Sequence, residues 1–190
     1  MHQGDFAAET VYDDDPVRVA REFEAAGARW IHVVDLDAGV ERVVIGTAAV
    51  ERPALVEDLC EEYPGRVAVG LDARGNEVAV RGWVEGSGAD LVGLAERFDG
   101  VGLAALIVTE IDRDGTLDGP AFGQLSAVLE ATTVPLVASG GVGTLDDVRA
   151  LARLRAGDRA LAGIIVGRAI YEGRFGVADA LASLEEAVAD

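Results

Sequence analysis

Pro135-Leu136-Val137-Ala138-Ser139-Gly140-Gly141-Val142-Gly143-Thr144 is a short apolar run that breaks into a serine and two glycines, then reaches a threonine followed closely by Asp146 and Asp147. A short apolar run bounded by glycine reads as a buried strand. A threonine ahead of acidic residues reads as a helix start, because its hydroxyl and the carboxylates complement the unpaired N–H groups there. The stretch is therefore strand, tight turn, helix, and the same order repeats to either side. Downstream, residues 163–166 are an apolar run ending at Gly167-Arg168, and a last helix covers 177–188. Upstream, residues 104–108 run to Thr109, followed by a loop to Pro120 and a helix over 122–131. Residues 67–71 reach Asp72, with a short hairpin or loop strand at 78–83 and a helix over 90–98. Residues 42–45 end at Gly46-Thr47, ahead of a helix over 53–62. Residues 30–34 run to Asp35-Leu36-Asp37, after a helix opened by Asp15-Pro16 and stopped by Gly27.

Strands alternating with helices at this spacing give an α/β fold with a parallel sheet. Most strands are continuous apolar runs, as expected when both faces are covered. Gly, Thr, Asp and Ser collect where strands end, and in a (β/α)8 TIM-type barrel those ends form the active face. Val44-Ile45-Gly46-Thr47-Ala48 echoes Ile165-Val166-Gly167-Arg168-Ala169, which suggests two similar halves using one kind of loop twice. One junction does not fit. Parallel neighbours need a crossover of a dozen or more residues, yet only Ala38-Gly39-Val40-Glu41 separates Asp37 from the next strand. The expectation is a barrel shortened to about six strands, with residues 1–190 as a single incomplete barrel domain and 67–190 as its intact second half. Open edges then predict reduced stability or self-association.

The chain has 190 residues, with 34 acidic against 16 basic and a net charge of -18. That balance argues against nucleic acid or an anionic membrane as partner and reads as solubility, with screening in a salty cytoplasm as one setting for it. No apolar run reaches the roughly 18 residues of a membrane span. The start, Met1-His2-Gln3-Gly4-Asp5, has no basic region followed by an apolar one, so the expected location is the cytoplasm. Cys60 is the only cysteine, and no internal disulfide can form. Every basic residue is arginine, which excludes lysine Schiff-base chemistry. His2 and His32 offer no metal-binding spacing, so no metal is expected.

The strand ends supply the candidate site. Ser139, Gly140, Gly141, Gly167 and Arg168 close consecutive strands near the C-terminus. Glycines there let backbone N–H groups approach a phosphate, and barrels often place a phosphate site after strands 7 and 8. Asp72 follows an apolar strand directly, at the mouth of the barrel, where a partly desolvated carboxyl can act as a general acid; capping a loop is the plainer role. Thr109 holds the same place on the next strand, to bond substrate or orient a carboxylate. Arg81 and Trp83, just beyond Asp72, can reach a phosphate and stack on a planar heterocycle, or simply cover the barrel.

Together these stretches resemble the ProFAR isomerase family of histidine biosynthesis. Gln3-Gly4-Asp5, Val33-Val34-Asp35-Leu36-Asp37, Ile45-Gly46-Thr47-Ala48, Gly70-Leu71-Asp72, Arg81-Gly82-Trp83, Thr109 through Leu117, Ala138-Ser139-Gly140-Gly141 and Val166-Gly167-Arg168-Ala169 fall in that family's order. The resemblance implies an Amadori rearrangement of a bis-phosphorylated aminoaldose to an aminoketose, with no cofactor. Asp72 would be the general acid and Thr109 its assistant. The Ser139 and Gly167 loops would hold one substrate phosphate, and Gly46 with Thr47 would hold part of the other. The chain departs from the family twice. It opens past the strand carrying the family's base aspartate, for which Asp35 or Asp37 is a weak stand-in, and it lacks the segment around strand 3 after Asp37. Two alternatives therefore stand beside the isomerase: a shortened relative that binds a phosphate-sugar without turning it over, and a cyclase-like subunit of imidazole glycerol phosphate synthase. The Arg-Gly-Trp and Gly-Thr-Leu stretches disfavour the cyclase.

Overall fold

The computed structural model describes residues 12–13, 15–33 and 41–189. Gln3-Gly4-Asp5 and Asp35-Leu36-Asp37 lie outside them, as does most of the junction at 38–41. Helix α1 (Pro16–Ala25) begins as its sequence dictates: the Arg18 N–H donates to the Asp15 carboxylate at 3.0 Å, and Pro16 fills the first turn. The remaining elements alternate in chain order: β1 (Val43–Ile45), α2 (Thr47–Glu51), α3 (Pro53–Glu62), β2 (Val67–Arg74), β3 (Glu77–Val80), β4 (Glu85–Asp90), α4 (Leu91–Arg97), β5 (Ala105–Glu110), α5 (Phe122–Ala131), β6 (Leu136–Ser139), α6 (Leu145–Arg153), β7 (Arg155–Ala156), β8 (Arg159–Ala160), β9 (Gly163–Ile165), α7 (Arg168–Tyr171) and α8 (Val177–Ala189).

Strands β1, β2, β5, β6 and β9 pair in parallel and in chain order. In β2 the odd positions Val67, Val69, Leu71 and Ala73 are at most 2% exposed and join the apolar core. Val56 and Cys60 of α3, Leu91 and Ala95 of α4, and Leu125, Val128 and Leu129 of α5 belong to the same core. Burying each large aliphatic side chain of this layer is worth roughly 1.5–3 kcal/mol. The even positions Ala68, Gly70 and Asp72 face the other way, toward the concave side of the sheet. Gly70 leaves room there: a Cβ on it would sit 3.2 Å from a Val44 methyl.

Two expectations need correction. Residues 30–33 form no strand: Trp30 is 57% exposed and Val33 60%, and the Arg42 guanidinium lies over the Trp30 ring at 4.4 Å. The described residues thus hold five parallel strands rather than six. The physical reason is the short link after Asp37, which cannot carry a chain back to lie parallel beside β1. Strand β2 also does not stop at Asp72; it continues to Arg74 because its end pairs antiparallel with β3. Among the described residues the sheet does not close, with β1 paired only to β2 and β9 only to β6. The fold is α/β, a parallel sheet of a shortened (β/α)8 barrel.

Candidate active site

Strand register builds the site. Asp72 pairs with Thr109, Thr109 with Ser139, and Ser139 with Ile165. Register partners in parallel strands point to the same face, so Asp72, Thr109 and Ser139 form one row on the concave side at the C-terminal ends of β2, β5 and β6. Asp72 and Ser139, two strands apart, are separated by about 10 Å at the usual strand spacing.

The loop after β3 closes over this row. The Trp83 indole N–H donates to Asp72 Oδ2 at 2.8 Å. The Arg81 backbone N–H donates to Thr47 Oγ1 at 2.9 Å, which ties the loop to the turn after β1. Arg81 does not aim its guanidinium into the site; it pairs with Glu85 at 3.0 Å and Glu51 at 3.5 Å. Arg81, Gly82 and Trp83 all have positive φ, at 55°, 67° and 72°. For the two non-glycine residues that conformation costs roughly 1–2 kcal/mol each, and such strain persists only where surrounding contacts impose it.

The second subsite lies past β6 and β9. Ser139, Gly140, Gly141, Gly167 and Arg168 line one cleft of about 440 Å³. Gly141, at φ 80°, lets the chain pass so close to the Gly119 carbonyl that a Cβ would sit 2.3 Å from its oxygen. Arg168 donates to the Gly115 carbonyl and to Glu172 at 2.6 Å. The Glu172 carboxylate holds the guanidinium above its ordinary pKa. Asp114 and Glu172 also line the cleft, so the arginine there faces carboxylates rather than an excess of positive charge.

The internal echo is geometric as well as sequential. Gly46 caps α2 with φ -97° and ψ -108°, and Gly167 caps α7 with φ -109° and ψ -95°. In each turn the N–H three residues on returns to the glycine carbonyl: Ala49 to Gly46 at 2.8 Å and Ile170 to Gly167 at 3.0 Å. Beside both glycines the space a Cβ would occupy is open. Sequence reasoning missed strand β4, whose Glu-Gly-Ser-Gly-Ala-Asp lacks β-formers. It also missed Tyr12, which stacks on Tyr171 at 5.0 Å and lines the second cleft. Among the described residues no three His, Cys, Asp or Glu side chains gather as metal ligands do, and no helix is long and apolar enough to cross a membrane.

Similarity to known proteins agrees with this geometry. The family described as "Histidine biosynthesis protein" matches residues 1–40 and, separately, 36–176, so the family pattern breaks at the same junction that physics flags. An isomerase of Rhodospirillum rubrum is 41% identical over 228 aligned positions, covering 98% of this chain and 93% of the relative. The alignment is longer than the 190-residue chain, so the relative has positions with no counterpart here. Relatives from Paramagnetospirillum magneticum (42% identical, 93% and 89% covered) and Rhodopseudomonas palustris (41%, 98% and 92%) carry the same name, 1-(5-phosphoribosyl)-5-((5-phosphoribosylamino)methylideneamino) imidazole-4-carboxamide isomerase. A glycine-lined cleft, a row of Asp72, Thr109 and Ser139 on a parallel sheet and this similarity along nearly the whole chain have one reading: the chain belongs to the ProFAR isomerase family of histidine biosynthesis.

Proposed function

We propose that the chain is an aldose–ketose isomerase acting on the bis-phosphorylated aminoaldose ProFAR. The observation that carries the reading is the 2.8 Å contact from the Trp83 indole to Asp72, set in a row with Thr109 and Ser139 at the strand ends. With Oδ2 engaged as an acceptor, Oδ1 is the atom left to carry a transferable proton. Asp72 gives that proton to the ribose ring oxygen; the bond from that oxygen to C1 breaks, and the nitrogen lone pair forms a C=N bond to C1. An aspartate carboxylate then takes the C2 proton to give an enaminol and returns it at C1 as the C2 hydroxyl proton leaves to solvent, which gives the aminoketose and leaves Asp72 to be reprotonated. Thr109 assists beside Asp72. One phosphate sits on the Ser139-Gly140-Gly141 and Gly167-Arg168 turns, and the other at Gly46 and Thr47, with Arg81 and Trp83 covering the substrate between them. The chemistry assigned here uses no metal or cofactor. The cytoplasm is the proposed place of work, and the open edges of β1 and β9 are the proposed route to self-association.

One observation favours a second reading. Among the described residues the row holds a single carboxylate, and the sheet is open between β1 and β9. A protein that binds the phosphate-sugar without turning it over meets both facts. Purified chain mixed with ProFAR and followed by absorbance separates the two: turnover that Asp72→Asn abolishes supports the isomerase, and binding without turnover supports the binder.

A further inference from the structure

The strained loop carrying Trp83 needs something to hold it, and three residues outside the row are arranged to do so. Glu110, the last residue of β5, is only 8% exposed, yet its hydrogen-bond partners are neutral N–H groups. Its Oε2 accepts from the Gly75 backbone N–H at 3.2 Å and from the Gln124 side-chain amide at 2.7 Å. The same Gln124 amide nitrogen donates to the Gly75 carbonyl. A carboxylate can only accept, so Gln124 must present its NH2 group here; its Oε1 is buried without a partner. Both backbone polar groups of Gly75, the turn between β2 and β3, are thus held by side chains from β5 and α5. A surface turn has no need of this, because water would satisfy it. A buried carboxylate among neutral donors is costly to keep, so the arrangement secures the turn's position more than the chain's stability. Arg74, beside that turn, completes the tie: it donates to the Trp83 carbonyl at 3.2 Å and to Asp112 at 3.3 Å.

We infer that Glu110, with Gln124 and Arg74, forms a positioning clamp that fixes the β2–β3 hairpin against β5 and α5 and so holds the Trp83 indole on Asp72. The catalytic half of this inference rests on the isomerase reading above; the structural half does not. The chain has two tryptophans, so Trp30→Phe leaves Trp83 as the only one, and its emission and acrylamide quenching report its position without any substrate. In that background Glu110→Ala is expected to shift emission to the red and increase quenching. It should also lower kcat on the order of tenfold to a hundredfold with little change in KM, since a misplacement of about 1 Å costs that much. Glu110→Gln keeps an accepting oxygen for Gly75 and Gln124 and is expected to restore both readouts. The clamp is overturned if Glu110→Ala leaves quenching unchanged, or if the Ala and Gln variants behave alike. Should Glu110→Ala fail to fold by circular dichroism, Arg74→Ala, at a half-exposed side chain, is read the same way: increased Trp83 quenching supports the clamp and unchanged quenching overturns it. A parent protein that turns over no ProFAR, but whose Trp83 quenching responds as described, keeps the clamp and rejects the isomerase reading.

Discussion

Gly141→Ala places a methyl group where the structure has none to spare. The added Cβ would sit 2.3 Å from the Gly119 carbonyl oxygen, 2.8 Å from its carbon and 3.2 Å from the Arg113 Cβ. Two of these neighbours are backbone, so no side chain can swing aside. The residue also has φ 80°, a conformation that costs a non-glycine residue roughly 1–2 kcal/mol. Forced overpacking adds about 1–3 kcal/mol. Pushing the loops apart breaks the 2.9 Å bond from the Gly119 N–H to the Gly141 carbonyl, worth about 0.5–1.5 kcal/mol. The total is about 3–6 kcal/mol, a large part of the 5–15 kcal/mol typical of a domain. In urea, at a slope of roughly 2 kcal/mol per molar, the midpoint should fall by about 1.5–3 M. Gly123→Ala is the control. It lies in helix α5 with open space around it and should raise stability by roughly 0.5–1 kcal/mol. A Gly141→Ala midpoint equal to that of the parent protein would refute the close approach between the loop after β6 and Gly119, and with it the shape assigned to the second cleft.

Thr144→Ala removes the hydroxyl half of the capping box that Thr144 and Asp147 form at α6, the bond from the Asp147 N–H to Thr144 Oγ1 at 3.1 Å, and leaves the backbone half; it should cost about 1 kcal/mol and lower Tm by roughly 2–4 °C in a scanning melt. Backbone and side-chain hydrogen bonds from Thr133, then one from Thr132, hold the Asp99 carboxyl below its usual range. Its folded-state pKa is depressed, so its contribution is present above the unfolded value and fades as pH falls through the folded one; melts between about pH 5 and pH 3 should drop less steeply in Asp99→Asn than in the parent. Burial pushes the Cys60 thiol up, so a thiol reagent at neutral pH should modify it only as fast as the chain opens, and rapid labelling of the folded protein would contradict its place on the buried face of α3.

Much of the fold was legible because its signals are local. Residues 53–62 and 122–131 become helices α3 and α5 at those bounds, since proline at the first position of α3 and apolar spacing in both act within the segment itself. The turns at Ser139-Gly140-Gly141 and Gly167-Arg168 were legible as turns because glycine breaks an apolar strand ahead of a helix, and the two do line one cleft. What could not be read depended on partners distant in sequence. Residues 30–33 have strand composition and no strand, because pairing needs a neighbour that the short link cannot deliver. The extension of β2 past Asp72 is the exception, a local hairpin in which Ala73 and Arg74 pair with Val78 and Glu77 across Gly75-Asn76, a turn signal that the polar end of the strand obscured. The direction of Arg81 is shared between Glu85 and Glu51, the second of them thirty positions away, and the Glu110–Gln124–Gly75 ring joins segments that no single motif spans.

The central claim is that Asp72 is the acid of an aldose–ketose isomerisation. Proton NMR of the chain with ProFAR tests it most directly, read alongside calorimetric binding for the parent and for Asp72→Asn. The predicted result is loss of the aminoaldose anomeric signal and growth of the ketose C1 methylene with the parent protein, and no conversion with Asp72→Asn despite binding of similar affinity. Bound but unconverted ProFAR with the parent, or conversion by Asp72→Asn at the parent rate, would contradict the claim.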